Sequence, residues 1–308
     1  RNPHLASPDG RVQLPGRLNP PVYPASRPQK RFHSFDQAGH YTSACSGMIY
    51  RDTYLFPRSA RGESPTNAFA CEPFHNLVQR LELEAEGVTF RGKRIGEEKE
   101  PDFFASTDRW CRPVMVRTGP DGCLWVADMY RYMIEHPHWL PKQGKEELLP
   151  HYRAGENRGR IYRVRRGDSQ PRSIPRLAGR ALEEVASRLD SPNGWVRDKA
   201  QQELLWRADR AAVPLMRALV GGSHLPEACP HALGVLEGLG AVGEGVLTRA
   251  LGHGQSAVRE AALRFAERHA TPTVIEAALR LVDDGDPRVR MQLAFSIGAF
   301  PPSEAGAA

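Results

Sequence analysis

The spacing of apolar residues divides the chain into two parts that meet near residue 170. In the first part, short apolar or alternating runs predict β-strands. These runs are Met48–Tyr50, Tyr54–Phe56, Asn76–Leu83, Val114–Arg117, Leu124–Ala127 and Ile161–Val164. Turn-forming residues separate them at Glu86-Gly87, Pro120-Asp121-Gly122 and Asn157-Arg158-Gly159. Many short strands joined by such turns are typical of a β-sandwich, a barrel or a propeller.

After Pro175 the apolar residues recur at the spacing of helical faces. The clearest examples are Val185 and Leu189; Val196, Ala200 and Leu204; Val258, Ala262 and Phe265; and Val289, Leu293 and Ile297. Two helix starts are also marked, at Thr271-Pro272 and Asp286-Pro287. Each pair places a capping side chain before a proline, whose missing N–H costs nothing in the first turn of a helix. The sequence therefore predicts a multi-domain protein, β and then α.

The dipeptide Val-Arg recurs at Val196, Val258 and Val289, at separations of 62 and 31 residues. A period of 31 residues fits, with one degenerate copy near residues 227–232. Because one helical pair cannot bury its apolar face alone, such repeats are expected to stack into an α-solenoid. The pattern resembles HEAT repeats over residues 174–300, which implies about four repeats. In that family the arginine usually bonds an acidic turn residue of a neighbouring repeat; the candidates here are Asp190, Asp283, Asp284 and Asp286.

The positive charge of the chain is concentrated in one short stripe. Lys and Arg number 42 against 36 Asp and Glu, which gives a net charge of +6. Residues 151–180 hold nine arginines against two acidic residues, a net of +7, so the rest of the chain sums to −1. We expect this stripe to pair with acidic surfaces of both parts. Phosphate binding through Arg163, Arg165 and Arg166 is the less favoured alternative, since no aromatic platform accompanies the stripe.

The remaining composition excludes several classes of protein. No run of about 18 apolar residues is present, so no transmembrane segment is predicted. The five cysteines form no CxxC or CxxCH motif, which argues against a zinc ribbon, a thioredoxin site and a c-type haem. One or two disulfides and buried free thiols are both compatible with their positions. The chain begins without Met, and we interpret it as an internal fragment of a longer protein.

Five phrases of the first part carry a family resemblance. They are His40-Tyr-Thr-Ser-Ala-Cys45, Cys71-Glu-Pro-Phe-His-Asn76, Ser106-Thr-Asp-Arg-Trp110, the stretch from Thr118 to Arg131, and Gly159-Arg-Ile-Tyr-Arg-Val164. A Pro-Asp-Gly turn followed by Leu-Trp-Val-Ala-Asp resembles a propeller blade of the glucose/sorbosone dehydrogenase type. The set as a whole resembles the planctomycete-type membrane-bound dehydrogenases, in which a propeller precedes HEAT repeats and often a c-type cytochrome. The resemblance covers most of residues 33–300.

The composition of the two ends and the resemblance of the parts between them predict four segments. Residues 1–31 are a Pro-rich linker or loop, 32–170 the C-terminal part of a β-propeller, 171–302 a HEAT-repeat α-solenoid, and 303–308 a flexible tail. The propeller is partial, with about two blades, because a six-bladed propeller needs about 250 residues or more. The resemblance also implies export to the periplasm, with membrane association through segments missing from this chain.

The related quinoproteins oxidise sugars or alcohols, passing hydride to pyrroloquinoline quinone with calcium as a polarising ion. By resemblance, His40 and His75 are the candidate catalytic bases. The candidate cofactor-binding residues are Asp108, Arg109, Trp110, Asp128 and Arg131. Each has an alternative structural role, a backbone hydrogen bond for the histidines and ion pairs between blades for the charged residues.

Three further motifs in the sequence carry weaker signals. Glu72 and Glu135 could each supply a carboxylate oxygen to calcium, but a single acidic residue does not make a calcium site. His136 and His138 beside Pro137 favour a loop over a metal site. Gly238–Gly243 matches G-x-G-x-x-G but follows a helical run, which predicts a turn between helices and no nucleotide site.

Two functions follow from the sequence. The first is a fragment of an exported quinoprotein-like dehydrogenase with a HEAT scaffold. The alternative is a non-catalytic propeller/HEAT module that binds a protein or a polysaccharide, since solenoids are usually interaction surfaces.

Overall fold

In a computed structural model, the chain forms a β region followed by a helical array. The structure describes residues 21–26, 40–57, 65–95, 102–134, 136, 138 and 142–301. The predicted tail, Glu135 and most of the predicted N-terminal linker lie outside these residues. The strands are β1 (Cys45–Ile49), β2 (Thr66–Glu72), β3 (Leu77–Glu86), β4 (Thr89–Lys93), β5 (Phe104–Ala105), β6 (Pro113–Thr118), β7 (Leu124–Asp128) and β8 (Arg160–Val164). The helices are α1 (Lys142–Leu148), α2 (Leu182–Ser187), α3 (Gly194–Arg207), α4 (Ala212–Gly222), α5 (Ala228–Gly238), α6 (Glu244–Leu251), α7 (Ser256–Ala266), α8 (Pro272–Leu279) and α9 (Pro287–Ile297).

The β region consists of two antiparallel sheets. Strands β1, β2, β3 and β4 lie side by side in that order, and β5 pairs with β3. The second sheet has the order β6, β7, β8. Phe69 and Val78 from the first sheet pack against Val116, Leu124 and Val126 from the second in one buried core. The alternation of apolar residues predicted this arrangement, because every second side chain of a strand points to the same face.

Five of the six predicted strands are confirmed, and the prediction for Tyr54–Phe56 is wrong. The backbone N–H of Tyr54 donates to the Asp52 side chain (2.8 Å), and that of Leu55 donates to the Tyr50 hydroxyl (3.1 Å). These local bonds turn the chain and replace the ladder bonds that a strand would need. Strand β4 was missed because all five of its residues are exposed, so it has no apolar alternation.

The helices α2 to α9 stack in two rows. One row is α3, α5, α7 and α9; the other is α2, α4, α6 and α8. Their shared core includes Leu204, Leu233, Leu247, Leu263 and Leu293, all nearly fully buried. The side chains of Thr271 and Asp286 cap α8 and α9, as the Thr-Pro and Asp-Pro pairs predicted. No helix among the described residues is long and apolar enough to cross a membrane.

The arginines of the three Val-Arg pairs each make the same kind of hydrogen bond. Each donates through Nη1 to the carbonyl oxygen six residues earlier: Arg197 to Ser191 (2.7 Å), Arg259 to His253 (2.7 Å) and Arg290 to Asp284. Each bond fastens a helix to the turn that precedes it. Among the described residues, Arg259 alone of the three also pairs with an acidic side chain of the next turn, Asp284, at 2.6 and 2.8 Å. The expected acidic partner is therefore present once in these three repeats.

We expect the Arg259→Ala variant to lose about 2 kcal/mol of unfolding free energy. The substitution leaves the Asp284 carboxylate, whose side chain is 4% exposed, without its charged partner. The matched control is Arg280→Ala, which removes an exposed pair with Glu276 and is expected to change stability little. Urea unfolding of both variants checks the prediction; equal losses would contradict it.

A junction of direct hydrogen bonds joins the β region to the helical array. The N–H of Gly194, at the start of α3, donates to the carbonyl oxygen of Arg51 (2.6 Å). The Arg51 guanidinium pairs with Asp198 at 2.8 and 2.9 Å. The amide of Asn193, fully buried, donates to the carbonyl oxygen of Gly119 (2.9 Å). A Cβ added at Gly194 would lie 2.6 Å from the Arg51 side chain, so the two parts are closely fitted.

His231 makes this junction sensitive to acid. Burial, with the nearby positive charges of Arg197 and Arg51, lowers the pKa of His231 to about 4. The unfolded chain, whose His pKa is about 6.5, therefore binds more protons as the pH falls. The stability that neutral His231 contributes is present above about pH 6.5 and is lost as the pH falls toward 4.

Between pH 7 and pH 5 we expect His231 to account for about 2 kcal/mol of lost stability. The His231→Gln variant removes the titrating group, so its stability should fall less over the same interval. Urea unfolding of both proteins at pH 7, 6 and 5 provides the comparison. Parallel pH curves for the two would refute this assignment.

Candidate functional site

Five polar side chains with little or no exposure form a buried polar cluster between the two sheets. They are Glu72, His75, Asn76, Arg112 and Asp128, with exposed fractions of 0 to 5%. They come from the end of β2, the β2–β3 turn, the residue before β6 and the end of β7. Most of the residues that the sequence predicted as a site lie in or beside this cluster.

Asn76 joins three segments of the β region. Its side-chain amide donates to the carbonyl oxygens of Arg109 (3.0 Å) and Cys111 (2.6 Å) and accepts from the Ser26 hydroxyl (2.6 Å). Its backbone is left-handed, with φ at 60°. Asparagine adopts that conformation more readily than other non-glycine residues, which suits the tight turn between β2 and β3.

Glu72 and His75 lie side by side, but their side chains differ in their hydrogen-bond partners. The Glu72 carboxylate accepts from the N–H of Thr42 (3.0 Å) and from the N–H and hydroxyl of Ser43 (3.0 and 2.7 Å). Burial raises the pKa of Glu72, but the nearby His75 and the hydrogen bonds from Ser43 and Thr42 outweigh it, and the net shift is downward. His75 Nδ1 is 3.6 Å from Glu72, and neither ring nitrogen has a hydrogen-bond partner among the described residues.

Arg112 and Asp128 bond mainly to the backbone. The Arg112 guanidinium donates to the carbonyl oxygens of Pro73 (3.0 Å), Arg131 (3.1 Å) and Tyr132 (3.0 Å). Asp128 Oδ1 accepts from the N–H groups of Arg112 (2.7 Å) and Tyr130 (2.8 Å). Asp128 Oδ2 has no hydrogen bond from a described residue, and Arg160 lies 3.7 Å away. These contacts hold the ends of β6 and β7 against the β2–β3 turn.

The other predicted site residues are spread around the cluster. His40, Asp108 and Arg109 are exposed. Trp110 packs against Tyr130 and Tyr132, with ring centroids 5.7 and 5.4 Å away. The Asp108 carboxylate accepts from the Trp110 N–H (3.0 Å), which closes the turn before β6. The Arg131 guanidinium donates to the carbonyl oxygens of Met129 and Tyr130, both at 3.1 Å.

These residues do not fit pyrroloquinoline quinone as a set. A quinone with several carboxylates needs cationic groups that can reach it. The Arg131 guanidinium bonds to its own chain, and the Asp128 and Glu72 carboxylates already accept backbone hydrogen bonds. The ring nitrogens of His75 have no hydrogen-bond partner among the described residues, but His75 is only 2% exposed. The quinone site therefore stays a prediction.

The described residues offer no built metal site either. The described residues contain no group of three or more His, Cys, Asp or Glu side chains that could hold an ion. His136 and His138 stack with ring centroids 5.0 Å apart, and Nδ1 of the first accepts from the N–H of the second. The five cysteines are free thiols, and burial is the main cause that raises the pKa of Cys71 and of Cys111 to about 12. Thiols with such values are poor nucleophiles.

A second candidate site lies at the junction, in a cleft of about 720 Å³ that we call the arginine cleft. Four arginines line it: Arg172, Arg176, Arg180 and Arg188. Arg172 pairs with Asp52 (3.0 Å), and Arg180 lies 3.9 Å from Glu184. Arg176 and Arg188 have no ion pair with any described residue. The cleft therefore presents uncompensated positive charge.

The sequence located part of these sites. The basic stripe 151–180 supplied three of the four cleft arginines, and it also pairs with acidic residues of both parts, as expected: Arg163 with Asp121, Arg172 with Asp52 and Arg180 with Glu184. Arg188 was not predicted, because it follows the stripe in a separate element. Asn76 and Arg112 were also missed as central residues; an asparagine in a turn next to a histidine was the available signal.

By its structure the chain is an antiparallel β region joined to an array of stacked helices. It contains a buried polar cluster and a basic cleft. A family model with the description "Domain of unknown function (DUF7133)" matches residues 1–168. This is more than half of the chain, and the chain belongs to that family. A comparison with curated proteins gave no match.

Proposed function

We propose that this chain is a non-catalytic interaction module, in which the β region and the helical array present one composite binding surface. In this proposal the β region is the C-terminal part of a β-propeller and the array is a HEAT-like solenoid. Sequential antiparallel meanders and two rows of stacked helices support those assignments.

The junction is the observation that carries the proposal. The Asn193–Gly119 and Gly194–Arg51 bonds fix α3 against the loops beside β1 and β6. A hinge between independent domains would have few such contacts. Fixed in this way, the two parts can present a binding surface without first losing conformational entropy.

The buried polar cluster supports a structural role for the residues that a catalytic reading would use. Asp128, Arg131 and Glu72 bond to backbone groups, so they hold loops in place. A group that abstracts a proton must reach the substrate, and His75 is shielded from solvent.

Titration with pyrroloquinoline quinone and calcium tests the proposal against the dehydrogenase alternative. We expect no saturable change in the quinone absorbance and no dye-linked oxidation of glucose or ethanol. Stoichiometric quinone binding with turnover, lost in both His75→Ala and His75→Gln, would replace our proposal with the dehydrogenase. Circular dichroism of the two variants separates loss of a base from loss of the fold.

A further inference from the structure

We propose that the arginine cleft binds an acidic peptide segment of a partner protein; this inference rests on the interaction module proposed above. The cleft has four arginines on its walls against one acidic residue, Glu184. Arginine pairs with carboxylates bidentately, and it does so most effectively when no internal partner competes. Arg176 and Arg188 meet that condition within the described part of the chain.

The shape of the cleft suits an extended peptide. One wall is the segment 173–176, which has no helix or strand. Among the described residues, no backbone–backbone hydrogen bond is made by Ser173, Ile174 or Arg176. The N–H and C=O groups of these three residues can pair with an extended chain, as an exposed sheet edge does.

The chemistry of the walls favours a peptide over nucleic acid. Apolar side chains such as Ile174, Leu177 and Val196 lie among the arginines, and Pro120 and Pro192 add further apolar surface. Among the described residues no aromatic side chain lines the cleft, so single-stranded bases would find no stacking platform there. A segment that alternates acidic and apolar residues would match both kinds of wall.

The cleft lies where the two parts meet, with Pro120 as its lining residue from the β region. Pro120 belongs to the turn before β7, Arg188 follows α2, and Asn193 caps α3. The residues that line it therefore come from both the β region and the helical array. A partner segment seated here would touch both and would further stabilise the junction.

Calorimetric titration of the full chain with an acetylated hexaglutamate peptide tests the proposal. We expect saturable one-to-one binding whose affinity falls as the NaCl concentration rises. In an Arg176→Ala/Arg188→Ala double variant the affinity should fall at least tenfold. The matched control is Arg264→Ala/Arg280→Ala, which removes the same charge from exposed helix pairs and should bind as the wild type does.

Three results would overturn the proposal: no saturable binding, equal weakening in both double variants, or tighter binding of a single-stranded oligonucleotide or of tripolyphosphate than of the peptide. Equal thermal midpoints for the cleft variant and the wild type show that the fold is intact. If neither the peptide nor the quinone binds, the assignment of the cleft is wrong and the proposed interaction module is unaffected. Quinone binding with turnover would instead remove the module itself.

Discussion

Replacing Asn76 by alanine is expected to lower the free energy of unfolding by about 4 kcal/mol. The substitution removes the three side-chain bonds with Arg109, Cys111 and Ser26, and it leaves two carbonyl oxygens and a hydroxyl without their partner. It also places alanine at a left-handed φ of 60°. Urea unfolding with circular dichroism measures the loss.

The matched variant Asn76→Gly separates the two causes. Glycine adopts the left-handed conformation freely but restores none of the three bonds. We expect it to remain at least about 2 kcal/mol less stable than the wild type. Near-wild-type stability of Asn76→Gly would show that the side-chain bonds contribute little, contrary to this account.

Replacing Asn193 by alanine is expected to cost about 3 kcal/mol. The Asn193 side chain accepts from the N–H of Val196 (3.0 Å), which caps α3, and donates to the carbonyl oxygen of Gly119 across the junction (2.9 Å). Alanine loses the cap and the bond across the junction, and it leaves the buried Gly119 carbonyl with the N–H of Gly122 (3.1 Å) as its remaining donor. Urea unfolding monitored in both the β region and the helical array measures the effect.

The variant Asn193→Ser keeps a good capping side chain and lacks the amide donor. Its loss of stability should be roughly half that of Asn193→Ala. If the serine variant equals the wild type, the bond to Gly119 does not contribute, and the junction depends on the remaining contacts. The two variants thus measure the cap and the junction separately.

The sequence predicted the order of the two parts and most of their elements. The repeated Val-Arg pairs and the Thr-Pro and Asp-Pro caps located the helices, because helical spacing and capping are local properties. The turn at Gly238–Gly243 was also correct, since α5 ends at Gly238 and α6 begins at Glu244. Strand β2 was missed because its residues, Thr-Asn-Ala-Phe-Ala-Cys-Glu, carry little apolar signal. Its place in the sheet is set by β1 and β3 on either side.

The sites were less predictable than the fold, because they depend on contacts between distant residues. Asp128 and Arg131 stand out in the sequence as charged groups after a strand, where binding sites are common. The structure shows that their charges bond to backbone groups of neighbouring loops. The arginine cleft is the reverse. In the sequence nothing distinguishes Arg176 and Arg188 from other surface arginines, but in the structure they line the same cleft.

The junction makes the β region and the first helices one cooperative unit. Pulse-labelled hydrogen exchange across a urea series tests it directly, by following peptides from β6 and β7 and from α3 in the same sample. We predict that the two sets lose protection at the same urea concentration. Separate midpoints, with α3 opening while β6 and β7 stay protected, would contradict the claim.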